Sequence, residues 1–187
     1  MSKTIFSLLA AVAVRLTAFG AAGINEKEVF AYDAPDRSPI WFGGESRCTD
    51  VDATKGRYCI FIDIYYADGS HTWAKMAHFS RGTHGWERSE YLFLPPKPVK
   101  RINFYRMLRD TAGKAEFREA FLRREAPPEG YSFAHRRYSM RPWRVADRIE
   151  RLVYRGGKIV TEFEEVASSV EFPGLPAAGT VEVCILL

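Results

Sequence analysis

The chain has 187 residues, of which 47% are hydrophobic and 14% aromatic, so it can bury a core and global disorder is excluded. Its formal net charge is only +4, yet residues 120–155 alone carry +5, from nine arginines against four acids. A basic stretch of this kind fits a polyanionic partner, either nucleic acid or an acidic glycan, or a solvated surface around a linker.

The first 23 residues have the pattern of a secretory signal peptide. Lys3 supplies the positive charge, residues 5–14 are apolar, and small residues at 20–23 offer a cleavage site. The alternative is a buried N-terminal helix. Arg15 interrupts the apolar run and no other segment is long and apolar enough, so we expect no membrane span. We therefore expect a secreted or cell-surface protein, extracellular or periplasmic.

The three cysteines are Cys48, Cys59 and Cys184. In an exported chain Cys48 and Cys59 could form a disulfide across neighbouring antiparallel strands, which would leave Cys184 single. Their spacing lacks the paired C-x-x-C pattern of a zinc site, so we expect no metal.

Alternating hydrophobicity predicts short strands between residues 28 and 122. The clearest strand covers residues 57–67, where Tyr58, Ile60, Ile62 and Ile64 form one apolar face and Asp63 interrupts the other. The other predicted strands are 28–33, 71–79, 86–94, 99–108 and 115–122, with a hairpin at Asp68-Gly69. Residues 34–52 are rich in Pro, Gly, Ser and Asp and are predicted to be mostly loop.

Regular short strands joined by turns indicate an all-β antiparallel sandwich or barrel over residues 24–125. Residues 126–130, Ala-Pro-Pro-Glu-Gly, are predicted to be a linker. Residues 131–187 then begin a second β-rich module, with a hairpin around Gly156-Gly157 whose first arm also fits a helix. Because the chain ends on an apolar strand-like run, we expect this module to be truncated.

From Asp63 to Leu122 the sequence resembles a module of large secreted bacterial glycosidase-like proteins, the jelly-roll carbohydrate-binding type. The resemblance is carried by Asp68-Gly69, Phe79, Gly82-Thr83-His84-Gly85-Trp86, Pro96-Lys97-Pro98-Val99-Lys100, Tyr105 with Arg109, and Gly113 with Phe117. Residues 143–147 also look like the opening of the next module in such proteins.

The resemblance implies a jelly-roll-like sandwich and a non-catalytic carbohydrate-binding module that presents glycan to an associated glycosidase. The family's closing Phe-Asp-Asp, whose acids can bind a structural calcium ion, is replaced by Phe117-Arg118-Glu119. This leaves at most one carboxylate, so we expect no cofactor. The alternative function is a structural or adhesive spacer without a ligand of its own.

Sugar recognition needs flat aromatic rings for the apolar side of a pyranose and planar polar groups for its hydroxyls. The candidate binding residues are Trp41, Asp63, Tyr65, Trp73, Tyr105, Arg106 and Arg109. Asp63 is either a ligand group or paired with an arginine across the sheet. Trp41, in the predicted loop, is the stronger tryptophan candidate, whereas Trp86 is expected to fill the core.

We find no pattern that predicts catalysis. His71 and His78, seven apart on one strand, are expected to face opposite sides, and the pairs Glu87 with Glu90 and Glu116 with Glu119 likewise. There is no nucleophile elbow and no phosphate-binding glycine loop. Arginine with aromatics also fits a single-strand nucleic-acid binder, but export and the lack of a nucleic-acid motif argue against one.

Overall fold

The computed structural model describes residues 23–52, 56–137, 144–145, 148–166 and 170–171. Every regular element of these residues is a β-strand. In chain order the strands are β1 (Ile24–Asp36), β2 (Ile40–Val51), β3 (Arg57–Tyr66), β4 (His71–His78), β5 (Gly82–Phe93), β6 (Val99–Arg109), β7 (Lys114–Arg123), β8 (Ser132–Arg137), β9 (Arg144–Val145), β10 (Arg148–Arg155), β11 (Lys158–Val166) and β12 (Val170–Glu171). The predicted leader up to residue 22, Cys184 and the apolar run at 180–187 lie outside the described residues.

The first seven strands form two antiparallel sheets. Sheet A has the order β1-β6-β3-β4 and sheet B the order β5-β2-β7, so the chain passes repeatedly from one sheet to the other. Side chains from both sheets meet in one buried cluster between them. The predicted all-β, jelly-roll-like antiparallel sandwich is confirmed.

The core of the sandwich uses the face of β3 that the sequence predicts. Tyr58, Ile60, Ile62 and Ile64 are all fully buried and pack against Phe42 of β2 and its neighbours. β-branched and aromatic side chains suit this position because they fill the space above a pleated sheet. The predicted hairpin after β3 is also confirmed, with Gly69 at a φ of 84°.

Strand β2 lies in the segment predicted to be mostly loop, so that prediction is wrong for residues 40–51. The glycines that suggest a loop instead permit close packing of the central strand of sheet B. A Cβ atom on Gly43 would lie 2.3 Å from the carbonyl oxygen of Ser89. One on Gly44 would lie 2.8 Å from both the Cα of Ala120 and the Cδ1 of Ile60.

Strands β8, β10 and β11 form a third antiparallel sheet, sheet C, in the order β11-β10-β8. Residues 148–155 are therefore a strand, and the helical alternative for them is wrong. Sheet C packs on the outer side of sheet B through a buried cluster of Trp41, Leu92, Phe133 and Leu152. The segment predicted to be a linker thus joins two packed layers.

Cys48 and Cys59 are both free thiols, so the suggested disulfide between them is wrong. Cys48 belongs to the sandwich core, whereas Cys59 lies on the other side of sheet A with Phe61 and Met107. Two side chains on opposite sides of a sheet cannot meet without rearrangement of the backbone. Burial raises the pKa of the Cys59 thiol to about 12, which keeps it protonated at neutral pH.

Within the ranges given above, no helix is long and apolar enough to cross a lipid bilayer.

Candidate functional site

Five of the seven candidate residues lie on one surface of sheet A, facing away from the sandwich core: Arg109 at its end, and four that lie closer together. Asp63 and Tyr65 are on β3, Trp73 is on β4 and Tyr105 is on β6, beside β3. They alternate with buried positions of these strands, since successive side chains point to opposite sides of a sheet. We call this surface the outer face of sheet A; it also carries Lys27, Arg57, Phe61, Arg101, Asn103 and Arg109.

Aromatic rings run along this surface in two contacting pairs. The ring of Phe61 lies 5.1 Å from that of Tyr105, and Tyr65 meets Trp73 edge to face at 5.3 Å. Phe61 is buried, whereas Trp73 is 50% exposed. His71 also packs on the Trp73 ring, at 4.1 Å. The surface therefore offers a solvent-accessible indole supported on its flank by other rings.

Three cations lie above these rings. The guanidinium carbon of Arg101 is 3.9 Å from the centre of the Tyr65 ring, a close cation–π contact. The ammonium of Lys27 lies 5.8 Å from the Tyr105 ring, and the guanidinium of Arg57 lies 5.9 Å from Phe61. Positive and aromatic groups thus alternate across the face.

Asp63 fixes a β-bulge that positions Trp73. Strand β4 places two residues, Trp73 and Ala74, opposite the single Asp63, and Ala74 has a φ of 60°. The backbone N–H of Ala74 donates to Oδ1 of Asp63 at 3.2 Å. Burial raises the pKa of the Asp63 carboxyl, and this N–H together with the positive charge of Arg57 opposes the rise. The carboxylate thus holds the bend from which the indole projects.

Several further residues of this face, not among the predicted binding residues, contact Asp63, Tyr65, Trp73 or Tyr105. The amide of Asn103 donates to the hydroxyl of Tyr65 at 3.4 Å, and Arg101 covers the Tyr65 ring. The sequence does contain the pattern that identifies both residues. Arg101 and Asn103 lie four and two residues before Tyr105 on the same strand, and residues an even number of positions apart share a face. The strand pattern does not indicate that His71 and Lys27 belong to this face. Lys27 reaches it through the pairing of β1 with β6, and His71 through the pairing of β4 with β3 beyond the bulge.

Arg106 and Arg109 lie on opposite sides of β6. Arg106 is on the opposite side of β6 from Tyr105, where its guanidinium pairs with Glu26 at 2.7 Å and with Glu28 at 2.8 Å. It therefore does not contribute to the outer face. Arg109 lies at the end of that face, with its Nε 3.3 Å from Asp110.

Trp41 and Trp86 have the opposite environments to those expected. Trp41 is 6% exposed and lies in a strand, where its indole N–H donates to Glu90 at 3.3 Å. Trp86, expected in the core, is 38% exposed on the outer side of sheet B. There it is covered by the guanidinium groups of Arg47, at 5.0 Å, and Arg118, at 4.0 Å.

A small cleft lies between sheets B and C. It is a cleft of about 150 Å³ lined by Arg88, Glu90, Tyr131 and residues 132–134. Glu90 is buried, and its oxygens accept hydrogen bonds from Arg88, at 2.5 Å, from Tyr131, at 3.0 Å, and from Trp41. Both carboxylate oxygens of Glu90 accept hydrogen bonds, and Glu90 thereby links sheets B and C.

The histidines of β4 do not face opposite sides as expected. His71 pairs with Tyr65 and His78 with Cys59, two positions on the same side of β3, because the bulge shifts the alternation by one residue. Even so, across the described residues no three His, Cys, Asp or Glu side chains are grouped so that they could hold a metal ion.

The fold and this surface define an antiparallel β-sandwich with an aromatic and basic outer sheet. No protein-family model matches the chain, and neither a curated protein nor a solved structure matches it.

Proposed function

We propose that this chain is a non-catalytic carbohydrate-binding module and that its ligand surface is the outer face of sheet A. The observation that carries the proposal is Trp73, an indole left half exposed beside Tyr65 on an otherwise ordered sheet. The apolar side of a pyranose ring stacks on such a flat aromatic surface, which then loses contact with water. The half-exposed indole adjoins the rings of Tyr65 and His71, and contiguous exposed apolar surface of this kind often marks an interaction site.

Polar groups for the sugar hydroxyls stand beside the rings. Arg101 and His71 are exposed and contact Tyr65 and Trp73, so they supply planar polar groups at the edge of the aromatic surface, while the buried Asn103 amide donates to the Tyr65 hydroxyl from below. A few fixed polar groups around an apolar surface are the usual composition of a small-ligand site.

The wider role follows from this binding activity. A secreted multi-modular protein would use the module to hold glycan close to an associated glycosidase, which raises the effective concentration of substrate at the catalytic domain. The proposal assigns no catalytic step to this chain.

The test is affinity electrophoresis of the whole chain through gels containing a panel of neutral and charged polysaccharides. We expect retardation in at least one gel, and Trp73→Ala should weaken that binding about tenfold, equivalent to about 1.4 kcal/mol. Trp86→Ala is the matched control, because it removes an exposed tryptophan from sheet B. It should bind like the wild type, and both variants should keep the wild-type circular dichroism spectrum.

Three results would contradict the proposal. Equal losses in the two tryptophan variants would show that the outer face of sheet A has no special part in binding. No retardation in any gel would favour the structural or adhesive spacer. Hydrolysis of a polysaccharide by this chain alone would overturn the non-catalytic assignment.

A further inference from the structure

The outer face of sheet A carries more positive than negative charge. Its cations are Lys27, Arg57, Arg101 and Arg109, and the carboxylates that adjoin them are Asp63 and Asp110, a balance of four against two. Asp110 pairs with Arg109, whereas Lys27, Arg57 and Arg101 form no ion pair with any described carboxylate. The excess positive charge therefore lies beside the aromatic rings.

Elsewhere in the sandwich the arginines of the strands have acidic partners, whereas lysines such as Lys75 and Lys114 form no ion pair with a described residue. The arginine ion pairs are Arg47 with Glu116, Arg88 with Glu90, Arg118 with Glu45, Arg106 with Glu26 and Glu28, and Arg124 with Asp36. On the outer face of sheet A the arrangement is reversed, because Arg57 stands directly across from Arg109. Like charges directly opposite each other on neighbouring strands are destabilising. Asp110 offsets the charge of Arg109, so Arg57 is the member of this pair left without a described counter-ion, and an anion bound beside it would supply one.

From this we infer that the ligand of the outer face of sheet A is an anionic polysaccharide, whose carboxylate or sulfate groups are bound by Lys27, Arg57 and Arg101. This inference rests on the proposed function and names its ligand class. Guanidinium groups suit these anions because they donate two parallel hydrogen bonds. The neighbouring rings would stack on the sugars that carry the charges.

The spacing of the cations fits a polymer better than a single anion. Arg57 and Tyr65, the residue that Arg101 covers, are eight residues apart on β3. At about 3.3 Å per residue this separation is roughly 26 Å. Lys27 lies between them, over Tyr105, which pairs with Phe61 midway along the strand. A chain with repeated negative charges could therefore bind along the length of β3.

The arginine-rich stretch at residues 120–155 is a weaker candidate for this role. Arg123 packs over Trp41 and Phe121, and Arg124 pairs with Asp36. Further along, Arg151 donates to Ser132 and Arg155 pairs with Glu162. These four arginines, whose side chains the structure describes, stabilise the packing of neighbouring segments, so among the described residues the acidic ligand is better assigned to the outer face of sheet A.

The first experiment compares polymers that differ only in charge, by affinity electrophoresis of the whole chain. One pair is polygalacturonate and its carboxyl-reduced form, and the other is dextran sulfate and dextran. We expect the charged member of at least one pair to bind about tenfold more tightly, with affinity falling as salt rises. The two pairs distinguish a carboxylated ligand from a sulfated one.

The second experiment separates this face from general ion exchange by a basic protein. The triple variant Lys27→Gln, Arg57→Gln and Arg101→Gln should lose most of the preference for the charged polymer, about tenfold. Its control is Arg37→Gln, Lys114→Gln and Lys158→Gln, three exposed cations away from the face, with the same change in net charge. The control should keep the preference. Should the first triple variant unfold, Lys27→Gln and Arg101→Gln are measured singly.

The outcomes separate the inference from the proposed function. Equal binding of charged and neutral polymers, with loss in Trp73→Ala, would overturn the anionic ligand and keep the carbohydrate module. Equal losses in the two triple variants would reduce the preference to net charge and overturn the inference. No binding to any polymer would remove both. Tighter binding of a single-stranded oligo(dT) than of any polysaccharide would also remove both and indicate a nucleic-acid surface.

Discussion

Two opposing effects act on the pKa of the Asp63 carboxyl. Burial raises its pKa, and the smaller opposing effects of the Ala74 N–H, Arg57, Lys27 and His71 do not cancel this. The folded protein therefore binds the Asp63 proton more tightly than the unfolded chain does. The stability gained in this way is fully present below the ordinary aspartate pKa and is lost as pH rises through the raised pKa.

The variant Asp63→Asn tests this account. Asparagine keeps an oxygen to accept the Ala74 N–H but cannot ionise, so it avoids the burial penalty at neutral pH. We expect the free energy of unfolding of Asp63→Asn, relative to that of the wild type, to increase as pH rises from about 3 to about 7. Urea unfolding at several pH values, followed by tryptophan fluorescence, measures the difference.

Asp68→Asn is the control, because its pH dependence should have the opposite sign. Hydrogen bonds from Lys97 and Ser70 hold the pKa of Asp68 below its usual range. Its stabilising effect is therefore present at neutral pH and is lost as pH falls. A difference between Asp63→Asn and wild type that does not change with pH would contradict the burial argument.

At the scale of single strands, the two-residue alternation of β3 was sufficient to predict which of its side chains enter the core. It placed Ile60 and Ile62 inside and Asp63 outside. The same reasoning failed on β4, because the bulge depends on an alanine at positive φ, and alanine carries no sequence signal for that conformation. Tertiary hydrogen bonding to Asp63 supplies what the local sequence does not.

The prediction for strand β2 was wrong for a different reason. Glycine is typical both of loops and of strands that approach another backbone closely, and the sequence alone does not separate the two cases. In this strand Gly43 and Gly44 lie between neighbouring strands and the facing sheet. Because Trp41 shares the strand, the wrong prediction for β2 also placed Trp41 in a binding loop instead of a buried cluster.

The variant Gly43→Ala tests the packing of β2. A Cβ atom there would overlap the Ser89 carbonyl oxygen, which belongs to the backbone and cannot rotate away. We expect a loss of about 1–3 kcal/mol in the free energy of unfolding, as for other overpacked sites. Gly85→Ala is the control, since it meets nothing within 4 Å and should stay within about 0.5 kcal/mol of wild type. Equal effects of the two variants would contradict the close approach.

For the whole molecule, the main question is whether sheet C folds with the sandwich. Trp41 and Leu92 of sheet B bury against Phe133 and Leu152 of sheet C, and Tyr131 donates to the buried Glu90. A shared apolar cluster of this kind couples the layers, because opening it would expose core side chains from both sheets. We therefore expect sheets A, B and C to unfold in one cooperative transition.

The variant Phe133→Ala tests this coupling from the side of sheet C. Removing a buried phenylalanine costs about 3–5 kcal/mol when the cavity does not collapse, and in a coupled molecule this loss falls on the whole transition. Far-UV circular dichroism and tryptophan fluorescence should then report the same, lower urea midpoint. Val160→Ala, on the same sheet but 42% exposed, should leave the midpoint almost unchanged. A first step confined to fluorescence, followed by sandwich unfolding at the wild-type midpoint, would show instead that sheet C opens independently of sheets A and B.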